Sequence, residues 1–412
     1  MLKEKKLLIL GKVWPEPKSS AAGSRMMQLI DCFLQDEWSI TFASAANQSD
    51  FCETLEHRPI NTVAIKMNDS AFDDFVQTLN PNLVLFDRFM TEEQFGWRVA
   101  EQCPNAMRVL DMEDLHCLRQ ARTIAQKADR TYTIEDLQND IAKREIASIY
   151  RCDLSLVISE YEMELLSKAF KIDENLLLYL PFMLSGVSDT AQRELPTFEE
   201  RNHFISIGNF LHEPNWDAVQ VLKKNIWPKI RSKIPSAELH IYGAYPSQKV
   251  EQLHKPSEGF LVKGRAEDAK AVISNAKVLL APLRIGAGLK GKLSDAMECG
   301  TPSVTSSIGA EGMSGDYDWP GAISDDDTIF AEQAVSLYSN KELWAKAQKR
   351  GYEILKHRFD KDYFQKVLLE RITSITKHLR NHRSNNFMGA MLLHHSLAST
   401  RFMSKWIEEK NK

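Results

Sequence analysis

The sequence has neither an apolar run long enough to cross a membrane nor an excess of positive charge. The run at residues 7–10 is far shorter than the ~20 apolar residues of a membrane span, and it is too short for the core of a signal peptide. Lys and Arg number 52 against 56 Asp and Glu, so the formal net charge is −4. A dedicated nucleic-acid-binding protein, whose surface would be basic, is therefore disfavoured. We expect a cytoplasmic protein.

Cysteine is scarce and scattered. The six cysteines include no Cys-x-x-Cys pair, and no Cys/His cluster has the spacing of a zinc site. The first strand is not followed by a Gly-x-Gly-x-x-Gly fingerprint, and no nucleophile elbow is present, so nicotinamide-binding and hydrolase functions are disfavoured. We expect no bound cofactor, and free cysteines fit a reducing compartment.

The chain does contain a regular alternation of short apolar runs with amphipathic helical segments. At 412 residues it is long enough for two domains of roughly 100–200 residues each. The alternation predicts mainly parallel sheets covered on both faces. Residues 181–200 lack a clear period and predict a linker, and the chain from residue 325 onward is almost wholly helical. The predicted strands are residues 6–10, 39–43, 62–65, 83–86, 107–110, 154–158, 176–180, 203–207, 238–242, 259–263, 278–281 and 303–305.

Several helix starts can be predicted from their capping residues. Ser24 is the predicted N-cap of the first helix and Asn215 that of the first helix of the second domain. Ser159 and Glu162 have the spacing of a capping box. Arg25, at the first of these helix starts, either meets an anion or lies on the helix surface.

One stretch, residues 277–313, combines features that favour phosphate binding. An apolar strand is followed by a turn with three glycines, among them Gly286 and Gly288, and then by a helix. Lys290 and Lys292 lie within this turn. The unpaired N–H groups and dipole of a helix start attract anions, and glycines let a ligand approach the backbone. We therefore predict a phosphate site here.

The same stretch carries a family resemblance. From residue 283 the chain reads LRIGAGLKGKLSDAMECGTPSVTSSIGAEG, which resembles the donor-binding block of family-4-type (group 1) glycosyltransferases with the GT-B fold. The resemblance spans residues 6 to about 359. It implies an α/β protein with two Rossmann-like domains facing across a cleft, and C-terminal helices that pack back on the first domain. The expected ranges are 1–185 (acceptor side), 200–355 (nucleotide-sugar side) and 356–412 (helical extension).

The resemblance also implies roles for residues of the second domain. Lys290 and Lys292 would face the donor diphosphate, and Asp295 the ribose hydroxyls. Where the family often has a first glutamate, this chain has Ala287, and Glu311 is a candidate for part of that role.

Two other loops complete the expected donor site. Gly208 and Asn209 match the loop below the phosphates, and Arg265 lies where the family approaches the nucleobase. Gly286 and Gly288 would bring the backbone close to the diphosphate.

On the acceptor side, a charged segment follows the predicted strand at 107–110. Asp111 and His116 could orient a sugar hydroxyl or assist proton transfer. Alternatively this segment is a capped helix start, with Asp111 or Asp114 accepting backbone N–H bonds.

The function implied by the resemblance is a retaining, metal-independent glycosyltransferase of polysaccharide biosynthesis. Its donor would be a nucleotide-sugar and its acceptor a glycan or lipid-linked sugar, with no nucleic acid involved. Lys290 would stabilise the leaving diphosphate. A sugar-nucleotide epimerase and a non-catalytic nucleotide-sugar-binding protein remain alternatives. The basic and aromatic tail from residue 371 either packs on the first domain or contacts the inner face of a membrane.

Overall fold

The computed structural model describes residues 5–53 and 55–411, without the side chains of residue 56 and of residues 395–398. Residues 1–4 and 412, the outer ends of the predicted domain ranges, lie outside this description. The first half of the chain forms a seven-stranded parallel sheet in the order β3-β2-β1-β4-β5-β6-β7. Its strands are β1 (Lys6–Gly11), β2 (Ser39–Ser44), β3 (Ile60–Ala64), β4 (Leu83–Asp87), β5 (Met107–Asp111), β6 (Leu154–Val157) and β7 (Leu177–Tyr179).

The second half forms a six-stranded parallel sheet in the order β10-β9-β8-β11-β12-β13. All its strands except the last were predicted from the sequence. The unpredicted strand is only three residues long and lies at the sheet edge, where no apolar run marks it. The strands are β8 (Asn202–Ile207), β9 (Leu239–Tyr242), β10 (Phe260–Gly264), β11 (Ala276–Ala281), β12 (Ser303–Thr305) and β13 (Gly321–Ile323).

Helices cover both sheets and form the C-terminal region. Two π-helical turns, Leu165–Ala169 and Leu222–Ile226, extend α7 and α9. Up to residue 200 the helices are α1 (Ala21–Gln35), α2 (Ala71–Leu79), α3 (Phe89–Gln102), α4 (His116–Lys127), α5 (Ile134–Leu137), α6 (Asp140–Arg151), α7 (Glu160–Glu164) and α8 (Asp189–Glu194), the last of which lies within the predicted linker. Beyond it they are α9 (Glu213–Val221), α10 (Trp227–Lys233), α11 (Gln248–Glu251), α12 (Ala269–Asn275), α13 (Gly291–Glu298), α14 (Ser307–Ala310), α15 (Asp327–Ser339), α16 (Lys341–Arg358), α17 (Lys361–Lys377), α18 (Leu379–Asn385) and α19 (Phe387–Lys410).

The central strands are apolar because both of their faces are covered. Every residue of β4 and β5 is buried, as expected for parallel strands between two helical layers. In each sheet the strand order reverses between the first strand and its neighbour, β1–β4 in one and β8–β11 in the other. Ligands of open α/β sheets bind at such switch points, beyond the carboxyl ends of the strands. The fold therefore directs attention to the loops after these four strands.

The C-terminal helices return to the first domain, as the family resemblance implied. Phe364, Leu368, Ile372 and Ile375 of α17 join the apolar core beneath β1, β2 and β4. Their spacing of three and four residues places them on one helix face. No helix among the described residues is long and apolar enough to span a membrane.

Two predicted helix starts are wrong. The first helix is capped by Ser20, whose hydroxyl accepts from the Gly23 N–H at 3.0 Å, and not by Ser24. α9 begins at Glu213 with Pro214 in its first turn, so Asn215 lies inside the helix. Proline is well suited to a first turn because it has no N–H to leave unpaired.

Candidate functional site

A cavity of about 650 Å³ lies between the two domains, at the carboxyl ends of both sheets. It is lined from both sides. Nine of the eleven residues predicted for the site line it, whereas Asp111 and Glu311 do not. The nine are His116, Gly208, Asn209, Arg265, Gly286, Gly288, Lys290, Lys292 and Asp295.

The loop from β11 to α13 adopts a backbone that requires glycine. Gly286 and Gly288 have φ angles of 132° and 63°, which side-chain-bearing residues rarely adopt. At Gly288 a Cβ atom would also lie 2.9 Å from Cβ of Asp114 in the first domain. The glycines therefore let this loop turn tightly into the cavity and approach the opposite domain.

Lys290 and Lys292 bring positive charge to the start of α13. Lys290 Nζ donates to the Gly288 carbonyl at 2.5 Å, and Lys292 Nζ donates to Asn215 Oδ1 at 2.6 Å. Burial lowers the pKa of each lysine to about 8. Neither forms an ion pair with a carboxylate within the part of the chain that is described. Their charge is thus only partly solvated and is available to an anion.

The loop after β8 lies directly against Lys292. A Cβ atom at Gly208 would stand 2.7 Å from Lys292 Nζ, so a larger residue would displace the ammonium group. Asn215 holds this arrangement, because its Nδ2 donates to the Asn209 carbonyl at 2.9 Å while its Oδ1 accepts from Lys292. The sequence-based interpretation treated Asn215 as a helix cap and missed this role. The available signal was that Asn215 closely follows the loop at Gly208 and Asn209, which the sequence placed in the donor site.

Asp295 and Arg265 line the same side of the cavity. Burial, reinforced by nearby Glu298, raises the pKa of Asp295 to about 7. The Arg265 guanidinium lies 4.2 Å from the ring centre of Phe51, a first-domain residue, and its Nε is buried without a hydrogen-bond partner among the described residues. Arg265 therefore meets the first domain at the edge of the cavity.

Glu311 does not face the cavity but joins the two domains. It accepts two hydrogen bonds from Arg122 of α4, at 2.9 and 2.6 Å, and Arg122 also donates to the Gly286 carbonyl at 2.8 Å. Ala287 packs against the apolar core of the first domain. The role considered for Glu311 in sugar binding is thus replaced by a contact that holds the glycine-rich loop.

The predicted capping box at Ser159 and Glu162 is wrong. Ser159 makes no capping hydrogen bond. Glu162 Oε1 instead accepts the Leu115 N–H at 2.9 Å and, across the domain boundary, the Gly288 N–H at 2.8 Å. Burial raises the pKa of this carboxyl to about 8. The spacing in the sequence fits a capping box, but in the fold Glu162 accepts backbone N–H groups from two other loops.

Asp111 is buried beneath the cavity and does not line it. Its carboxylate pairs with Arg25, with Nε–Oδ1 and Nη2–Oδ1 distances of 3.0 and 2.9 Å, and both side chains are 0% exposed. Arg25 also donates to the Leu180 carbonyl at 2.7 Å. The expectation that Asp111 faces an acceptor is therefore corrected, and Arg25 is neither on the helix surface nor at an open anion site.

His116 does line the cavity, and its ring is held from behind. Nδ1 lies 2.9 Å from the Asp114 carbonyl oxygen and 3.2 Å from Glu145 Oε1. Glu145 also caps α4, since its two oxygens accept the N–H groups of His116 and Cys117 at 2.8 Å. The capping hypothesis for Asp111 or Asp114 is wrong because a carboxylate from another helix takes that place.

Two further charged residues line the cavity, Arg88 after β4 and Glu113 after β5. Both have left-handed backbones, with φ angles of 68° and 60°, and such strain in non-glycine residues concentrates at functional sites. Glu113 Oε1 is buried without a hydrogen-bond partner in the described part of the chain. Burial, together with nearby Asp111, raises the pKa of Glu113 to about 8. The dense charge of residues 111–122 was the available signal for Glu113, but this segment does not include Arg88.

Potential metal ligands do not cluster in the described part of the chain. Among the side chains of residues 5–53, 55, 57–394 and 399–411, no group of three or more His, Cys, Asp or Glu has a geometry that could hold a metal ion.

Comparison with known families supports the resemblance of the second domain to glycosyltransferases. Residues 201–340 match the sequence model of the family described as Glycosyl transferases group 1. This segment contains the loops after β8 and β11 and both lysines. The resemblance stated from the glycine-rich block is therefore confirmed over these residues. No curated protein matches the chain.

Solved structures extend the likeness to the first domain at the level of the fold. Sucrose-phosphate synthase from Thermosynechococcus elongatus is 16% identical, with a TM-score of 0.68 over 91% of this chain and 100% of that one. HepE from Anabaena, in complex with UDP-glucose, is 14% identical with a TM-score of 0.65 over 90% and 99%. WaaG, a glycosyltransferase involved in lipopolysaccharide biosynthesis, is 11% identical with a TM-score of 0.59 over 89% and 99%. The chain therefore has the GT-B fold.

Proposed function

We propose that this chain, whose residues 201–340 belong to the glycosyl transferases group 1 family, transfers a sugar from a nucleotide-sugar to an acceptor hydroxyl. The transfer proceeds with retention of the anomeric configuration and without a metal ion. The observation that carries the proposal is the placement of Lys290 and Lys292 at the second domain's switch point, on the cavity and beside two glycines. That arrangement suits a diphosphate and has no evident structural purpose.

The two lysines account for the chemistry of the leaving group. As the sugar–phosphate bond breaks, negative charge grows on the diphosphate. Cations already in place stabilise this charge without further reorganisation. The start of α13 adds unpaired N–H groups and the positive end of the helix dipole. Gly208 and Gly286 leave room for the phosphates to approach the backbone.

The acceptor side needs no dedicated protein base. In a retaining reaction of this kind a phosphate oxygen of the donor can accept the proton of the acceptor hydroxyl. His116, Arg88 and Glu113 line the first domain's side of the cavity and would orient that hydroxyl by hydrogen bonds. We infer a polyhydroxylated acceptor, either a glycan or a lipid-linked sugar.

UDP and UDP-glucose are the first ligands to test, because HepE was crystallised with UDP-glucose. The purified full chain is titrated with UDP by calorimetry in the presence of a chelator. We expect binding that weakens as pH rises through about 8, since both lysines then lose their protons. Wild-type protein that binds no nucleoside diphosphate at all would overturn the proposal.

Turnover separates the proposal from its alternatives. A panel of nucleotide-sugars is incubated with the chain and glycan acceptors, and released nucleoside diphosphate is measured. A transferase releases it in an acceptor-dependent way, whereas an epimerase changes the sugar and leaves the nucleotide attached. Binding without either change identifies a binding protein, an alternative kept open by Ala287 and by the Arg122–Glu311 contact beside it. Proton NMR of the product's anomeric centre tests retention.

A further inference from the structure

The C-terminal helix α19 exposes large apolar residues on its outer side, while its inner side contacts the protein through polar groups as well as the half-buried Leu393 and Ile407. On the inner side Asn386 Nδ2 donates to the Tyr150 carbonyl at 2.8 Å, and Ser404 Oγ accepts from Arg98 at 3.2 Å. Glu408 accepts the Ser70 N–H at 2.8 Å, and Arg401 pairs with Glu101 at 2.7 Å. The outer side of an ordinary surface helix is polar.

The outer side of α19 carries large apolar residues in one stripe. At 3.6 residues per turn, their positions fall within an arc of about 100° of the helix circumference. Phe387 is 78% exposed, Phe402 68% and Trp406 59%. An exposed apolar surface of this kind marks a binding site for a protein or a membrane. The stripe consists of Phe387, Met388, Met391, Phe402 and Trp406, with Met403 at its edge.

Charge decides between these occupants. Residues 371–412 contain eight Lys and Arg against two Glu, a net charge of +6 in a chain whose total is −4. Three of the basic residues are engaged within the protein. Arg371 donates to the Asn175 carbonyl, Arg383 pairs with Asp153 and Arg401 pairs with Glu101. Lys405 and Lys410 lie on α19 itself beside the stripe, and Lys410 Nζ stands 5.2 Å from the Trp406 ring centre. A second copy of this chain would bring like charges together, whereas an anionic surface would neutralise them.

We propose that the outer face of α19 docks this protein on an anionic lipid bilayer, with the apolar stripe inserted between headgroups and the lysines against lipid phosphates. Helices that lie in the interface combine buried apolar area with attraction to anionic lipids. This docking goes beyond sugar transfer and does not depend on it.

The test uses the full chain and vesicles. Flotation is measured with vesicles of equal parts phosphatidylcholine and phosphatidylglycerol, and with phosphatidylcholine alone. We expect the protein to bind the anionic vesicles more strongly than the neutral ones. Binding to the anionic vesicles should decrease as the salt concentration rises. The double variant Phe402→Ser/Trp406→Ser should reduce binding by about tenfold or more, because apolar burial supplies much of the affinity. Lys405→Glu should weaken binding to the anionic vesicles alone.

Matched controls have the same chemistry elsewhere on the surface. Ile329→Ser/Tyr363→Ser changes two side chains that are 51% and 61% exposed, and Lys346→Glu reverses a charge on α16. Neither control should alter flotation. If the aromatic double variant fails to fold, Lys405→Glu against Lys346→Glu carries the test.

Three results would overturn the docking. They are wild-type protein that does not float, equal binding to both vesicle types, and equal losses in the control variants. A concentration-dependent dimer that the double variant abolishes, without vesicle binding, would instead assign the stripe to a second copy of the chain. UDP binding is measured on the same preparations, so failure of the docking and failure of the proposed transferase function can be told apart.

Discussion

On the second domain's side of the cleft, Lys290 and Lys292 donate to a carbonyl and an amide oxygen, and burial lowers the pKa of each to about 8. On the first domain's side, Asp111 and Arg25 are fully buried against each other. Lys290 and Lys292 follow β11 and Asp111 ends β5, so both sets lie at the carboxyl ends of parallel strands, in sheets whose first six strands follow the same order. The difference is that one set of charges is neutralised within the protein and the other is not. The paired set maintains the shape of the cleft, and the unpaired set can bind an anion.

The largest effect is expected when the buried pair is broken. Asp111→Ala leaves the Arg25 guanidinium buried without its carboxylate and should lower the free energy of unfolding by about 3–5 kcal/mol. Urea unfolding measures this. Asp318→Ala, which breaks an exposed pair with Arg350, should change it by less than about 1 kcal/mol. An Asp111→Ala protein of unchanged stability that has lost turnover would restore a direct catalytic role for Asp111.

The next effect concerns the unpaired set. Lys290→Ala should leave the fold intact, weaken binding of the nucleoside diphosphate and reduce turnover by about 100-fold, because a stabiliser of developing charge is removed. Lys292→Ala should act in the same direction, since its side chain faces the cavity. Lys290→Arg should rescue only partly, because the forked guanidinium places its donors differently.

Calorimetry and steady-state kinetics on folded protein test the lysines. Lys346→Ala, on an exposed helix surface, serves as the control. If Lys290→Ala binds the diphosphate with unchanged affinity, the glycine-rich loop is only a structural connection and not part of a phosphate site.

Glu113 is the exception on the first domain's side, because its Oε1 is buried without a partner in the described structure. Its pKa is about 8 in the folded protein against an ordinary value of 4.5. The folded state therefore binds more protons between these values, and wild-type stability falls as pH rises through this window. Glu113→Gln should raise the free energy of unfolding by about 2 kcal/mol above pH 8 and have little effect near pH 4.5.

The same variant distinguishes function from structure. If the Glu113 carboxylate stabilises the fold, Glu113→Gln would instead lower the free energy of unfolding. A Glu113 retained to hold an acceptor hydroxyl gives a more stable variant with impaired turnover and unaltered nucleotide affinity. Unfolding curves at about pH 5 and about pH 9, together with acceptor kinetics, separate the two.

The smallest effect is expected at the contact between the domains. Glu311→Gln removes the charge that pairs with Arg122 and should lower stability by about 1 kcal/mol, because the glutamine carbonyl still accepts a hydrogen bond from Arg122, which also keeps its bond to the Gly286 carbonyl. Nucleotide affinity should change little, since Glu311 does not line the cavity. Lys341→Gln, which breaks an exposed pair with Glu199, is the control. A large loss of nucleotide affinity in Glu311→Gln would return this residue to the donor site.

Local chemistry was sufficient to predict most of the strands, the two α/β halves and the glycine-rich loop. Apolar runs at β4 and β5 mark strands buried on both faces, and glycine is required wherever φ is positive at 286 and 288. These properties depend on near neighbours in the chain. The placement of Lys290 and Lys292 on the cavity follows from the same short-range pattern.

Only the tertiary structure determined the hydrogen-bond and ion-pair partners of the isolated charged residues. Glu162 has the sequence position of a cap, yet it accepts N–H groups from residues 115 and 288. Asp111 has the sequence position of a cleft residue, yet its carboxylate is buried in an ion pair with Arg25, 86 positions away in the chain. A buried carboxylate takes whichever donors the packed fold brings nearest, because leaving it unpaired costs more than abandoning a local bond. Sequence spacing determines which donors are near along the chain, and only the fold determines which are near in space.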